Sequence, residues 1–77
     1  MDLFKDYAGK EVKVVSRFLN SDGEYIVYNG TLLKNGRVFI QLSNGELYKV
    51  DKNGEISNVE KFRIIAINKG IVAYVKL

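Results

Sequence analysis

The chain has 77 residues, 12 Lys+Arg against 9 Asp+Glu for a formal charge of +3, and 47% hydrophobic residues. That is room for one domain spanning 1–77, whose core hides only roughly 60% of the unfolded surface. With no Cys and no His, a disulfide or thiolate-metal staple is excluded and the commonest general base is missing.

The opening "MDLFKDYAGK" predicts a short helix over residues 2–8. Asp2 is placed to N-cap it, Leu3, Phe4 and Tyr7 fall on neighbouring positions of one side, and Gly9 suits the C′ position. About two turns of helix are unstable alone, so this one must dock through Phe4 and Tyr7. The same stretch is acidic at position 2 and lacks an apolar h-region. No apolar run approaches the roughly 18 residues of a membrane span. A cytoplasmic protein without membrane attachment is the expectation.

From residue 11 to 77 strand signals dominate. "EVKVVSRFL" (11–19) alternates, with Val12, Val14 and Phe18 on one side. "EYIVYNGTLL" (24–33) is rich in β-branched and aromatic residues around Gly30, a glycine of the kind that marks a bend or bulge. "RVFIQL" (37–42) places Val38, Ile40 and Leu42 on one face. "ELYKV" (46–50), "EISNV" (55–59), "EKFRIIAI" (60–67) and "IVAYVKL" (71–77) follow. Asn35-Gly36, Asn44-Gly45 and Asn53-Gly54 have the composition of tight turns that need positive φ, and "NKG" (68–70) ends the last long run. Each is read as a hairpin hinge. The expectation is an all-β antiparallel meander of five to six strands, curled into a small SH3-like barrel with the helix over one open end.

The helix followed by "GKEVKVV", a glycine turn and "YNGTLL" resembles the opening of the Sm and Sm-like (LSm) family, through Gly9-Lys10 and Gly30-Thr31-Leu32. "INKGIVAYV" (67–75) is similar to that family's second motif. The resemblance implies a small barrel, a ring of subunits joined through the last strand, and RNA bound around a pore. The family's base-binding loop between its second and third strands is replaced here by "LLKNGRVF". Of the RNA-contacting positions only Lys69 carries over.

The residue inventory predicts no enzyme, no cofactor and no metal. Ser16, Ser21, Ser43 and Ser57 have no histidine to activate them. "DKNGE" (51–55) lacks the further ligands of a calcium loop. An interaction module is the first reading, taking a protein partner or a second copy of itself. Its partner-binding residues are Tyr25, Arg37, Phe39, Tyr48 and Lys49. Both faces of the C-terminal strands are apolar, which an exposed sheet does not sustain. Ile65, Ile67, Val72 and Tyr74 are therefore expected to form an oligomer interface. The alternative is an Sm-like RNA-binding protein using Lys69.

Overall fold

Five antiparallel strands follow one another in the computed structural model, which describes residues 2–77. They are β1 (Glu11–Ser16), β2 (Tyr25–Asn35), β3 (Phe39–Val50), β4 (Ile56–Asn68) and β5 (Val72–Lys76). Their order across the sheet is β4-β3-β2-β1-β5. Two of the Asn-Gly pairs hinge hairpins: Asn35 ends β2 and Gly36 opens the loop to β3, neither with the expected positive φ, and Gly54, at φ +82°, lies between β3 and β4. The third does not. Asn44 adopts φ +51° inside a continuous β3, where the register with β2 shifts between Asn29/Thr31. It is a bulge that bends the strand rather than ending it. Gly30 sits on the partner strand at this same shift, as a mid-strand glycine should.

The sheet curls without closing. β4 and β5 are its outer strands, and no ladder joins them among the described residues. The expected SH3-like or Sm-like barrel is therefore not formed, and the family resemblance, with the barrel-type interaction module and the Sm-like RNA-binding alternative drawn from it, is not sustained. The cause lies at "NKG". Instead of a hairpin, Lys69–Ile71 makes a 3₁₀ turn capped by Asn68, whose Oδ1 accepts from the Gly70 N–H at 2.7 Å. That turn passes the chain from beside β3 to beside β1, so two consecutive strands end on opposite edges.

The predicted N-terminal helix is also absent. Asp2 does accept from the Phe4 N–H (3.0 Å), but the bonds that follow are isolated turns, Tyr7 N–H to Phe4 C=O and Lys10 N–H to Tyr7 C=O. Asp6 at φ +66° interrupts any helical run. Seven or so residues cannot offset the cost of helix nucleation, whereas a turn lets Phe4 reach the core directly. The segment lies as a strap over the concave face. It is continued into the sheet by Gly9 N–H to Leu32 C=O and Leu32 N–H to Lys10 C=O. Phe4, at 2% exposure, packs there with Val14, Leu32, Ile40 and Leu42. Ile67 and Val72 close the same cluster from the two edge strands.

The strap is pinned by one carboxylate. The Asn35 amide (2.8 Å), the Phe4 N–H and the Lys69 ammonium (3.4 Å) converge on Asp2, and in that order they hold its carboxyl below the ordinary 3.8. A depressed folded-state value stabilises the folded form above about pH 3.8 and loses that contribution as pH falls through the lowered value. Acid titration below pH 3.8 should therefore shift the Asn35 and Phe4 amide resonances together in NMR spectra. Asp2→Asn should leave those resonances unmoved by acid.

Candidate functional site

Strand alternation leaves a second apolar cluster on the outer, convex face. Val15, Val27 and Val50 are buried there, partly covered by Tyr25 and Tyr48. The register explains the arrangement. Val15 pairs with Val27 and with Tyr74, and Val27 pairs with Tyr48, so Tyr74-Val15-Val27-Tyr48 forms one row across four strands. Tyr25 pairs with Val50, and Val50 with Ile56, one step along. A solvent-facing side of an antiparallel sheet normally reads polar. Here it is aromatic, and the rings are accessible: Tyr74 is 46% exposed and Phe18, tilted against Tyr25 with ring centroids 6.2 Å apart, is 72% exposed.

Cations border this strip. Lys13 and Lys76 are directly paired across β1 and β5, beside the tyrosine row. The Lys76 ammonium lies 5.9 Å from the Tyr74 ring centroid. Like charges directly opposite on one face repel, and among the described residues neither lysine has a carboxylate partner; the ion pairs are Lys49–Glu24 and Lys69–Asp2. Arg17 flanks the second half of the strip, its Nε donating to the Gly70 carbonyl at 3.3 Å. No Asp or Glu lines either half of the groove. The nearest acids in the register are Glu11, on the same face of β1 as Lys13, and Glu46, which lies in the Lys13 row across Asn29 and stands opposite Lys61.

The structure divides the sequence-predicted residues among three places. Tyr25 and Tyr48 share the outer face, and Tyr74 joins them there. Lys49 is turned away from them and pairs with Glu24 at 3.5 Å; the Asn20 amide first, then Lys49, hold that carboxyl below its ordinary value. Arg37 lies at the β2–β3 hairpin and borders the strap beside Asp2 and Lys69, while Phe39, half exposed, starts β3 near the same end. Ile67 and Val72 are core residues, and Ile65 packs against that core.

Phe18, expected on the side of Val12 and Val14, lies instead against Tyr25 of the outer face. Lys13, Val15, Arg17 and Lys76 were not singled out from the sequence, although a signal exists. "KVVSR" puts Lys13, Val15 and Arg17 on the face opposite Val12 and Val14, and "YVK" repeats the pattern with Tyr74 and Lys76. Among the described residues no cluster of His, Cys, Asp and Glu is suited to hold a metal ion, and no helix is long and apolar enough to cross a membrane. The sequence matches no protein-family model and no curated protein.

Proposed function

We propose that this domain is a binding domain, without catalytic activity of its own, that takes an anionic, chain-like partner across the outer face of its open sheet. The observation that carries this reading is the Lys13–Lys76 cross-strand pair, two like charges with no carboxylate between them, set beside the exposed Tyr74 and the half-buried Tyr25 and Tyr48. Such a pair weakens the β1–β5 ladder in the free protein. An anion seated between the two lysines relieves that repulsion, so binding gains what the free sheet lacks. Aromatic rings next to the cations supply apolar area for whatever the charges belong to.

Substitution at one lysine separates stability from binding. Lys76→Glu places opposite charges across β1 and β5 and should raise stability by about 0.5 kcal/mol. The same change should release the protein from immobilised heparin, used as a generic polyanion, at markedly lower salt than the parent. Thermal melting read by circular dichroism checks the first effect, and the salt of elution checks the second. Unchanged elution of a folded Lys76→Glu protein would contradict the reading.

A further inference from the structure

The outer face carries more information than its charge. Its rings are spread over a defined span: Tyr48 and Tyr74 stand at the ends of a four-strand row, which at the spacing of neighbouring strands is roughly 14 Å. Tyr25 lies between these two strands and one step along, extended by Phe18. The cations sit beside the rings at one end of the row, Lys76 lying 5.9 Å from the Tyr74 ring centroid and Arg17 lining the groove with Tyr74 and Phe18. Lys13, Lys76 and Arg17 all lie on the β1–β5 side, whereas the aromatic strip continues away from them across β2 to Tyr48 on β3.

We infer that the partner of this face is single-stranded nucleic acid, with bases stacked on Tyr74, Tyr25 and Tyr48 and phosphates held by Lys13, Lys76 and Arg17. This rests on the anionic-partner reading above and goes beyond it by naming the ligand class. Three features separate a nucleic acid from an acidic peptide. Flat π-faces are what every base offers to a tyrosine, while carboxylate side chains gain nothing from them. Cations set next to rings along β1 and β5, Lys76 and Arg17 on either side of Tyr74, suit a ligand that carries charge and flat apolar groups together along its length. An open platform rather than a cleft accepts about two or three unstacked bases, as sheet surfaces do, and offers no element to enter a duplex groove.

The cation set limits the electrostatic part. Three phosphate contacts on a single strand give a slope of log K against log salt of about −2, so affinity should fall about 20-fold between 50 and 200 mM salt. Lys76→Ala should reduce that slope by about 0.7 and weaken binding to all single-stranded sequences alike. Tyr74→Ala removes a half-exposed side chain from an edge strand, so the fold is retained. It should weaken binding roughly tenfold with the slope unchanged.

Fluorescence anisotropy with labelled oligothymidylate and oligouridylate tests this, set against a duplex of matched length, polyglutamate and heparin. The expected result is binding of both single strands, weaker binding of the duplex, and a Tyr74→Ala loss confined to the single strands. Polyglutamate bound as tightly as the oligonucleotides, or oligonucleotide binding indifferent to Tyr74→Ala, would overturn the nucleic-acid assignment while heparin retention still supported an anionic partner. Failure to bind any of these polyanions would remove both readings.

Discussion

Gly45→Ala should abolish most of the stability of this domain. A Cβ at residue 45 would stand 1.7 Å from the Asn29 carbonyl oxygen and 2.8 Å from the Gly30 Cα, all of them backbone atoms. No rotamer change relieves such a clash. Either β3 separates from β2 at the bulge or the bulge itself is lost, and each outcome disturbs the central pair of the sheet. The expected cost is about 4 kcal/mol, against a total of roughly 4–11 kcal/mol for a chain this long. Gly54→Ala is the comparison that isolates the cause. Gly54 has a φ of +82° but nothing within 4 Å of an added Cβ, so its substitution costs only the left-handed strain, about 1 kcal/mol. Urea midpoints at matched m-values measure both. Equal midpoints for the two variants would mean that the close approach at residue 45 is not what holds the bend.

Phe4→Ala should cost 3–5 kcal/mol by emptying the space under the strap (about the range for large aromatic truncations in cores). Phe4 is 2% exposed, and it belongs to a buried cluster that draws residues from all five strands, with Tyr7 of the strap packed against it. The curl of the sheet depends on it. Without a closed ladder between β4 and β5, the concave face is sealed by side chains alone, so removing the largest of them loosens both edges. Leu3→Ala, at a 42% exposed neighbour, should change stability by less than about 0.5 kcal/mol. A Phe4→Ala protein that melts at the parental temperature would show that the strap is not part of the core.

Strand content and turn positions were legible because alternation and Asn-Gly chemistry are local. Gly30 marked a bend, and it lies at the β2–β3 register shift. Asn44-Gly45 was misread for an instructive reason. A bulge residue and a hairpin residue both need positive φ, and only the partner strand distinguishes them. Asn68-Lys69-Gly70 failed in the same way: its dipeptide chemistry suits a turn, but whether the next strand returns beside the last or crosses to the far edge depends on Ile67 and Val72 both finding the core. The N-terminal helix was lost to Phe4, whose burial outweighs a few weak helical bonds. At the site, Tyr25 and Tyr48 were singled out as aromatic residues of the central hairpins beside basic ones, and the structure places them on one face, partly buried. Arg37 and Phe39 lie at the hairpin end, where Val38, expected inward with Ile40 and Leu42, is 52% exposed because β3 begins only at Phe39.

The most direct test of an anionic partner on the outer face is a titration of isotope-labelled protein with a short oligothymidylate, followed by amide chemical shifts. Perturbations confined to Lys13, Val15, Arg17, Phe18, Tyr25, Tyr48, Tyr74 and Lys76 are the predicted result. Perturbations centred on Arg37, Lys69 and the strap, or none at ligand concentrations that saturate heparin binding, would contradict it.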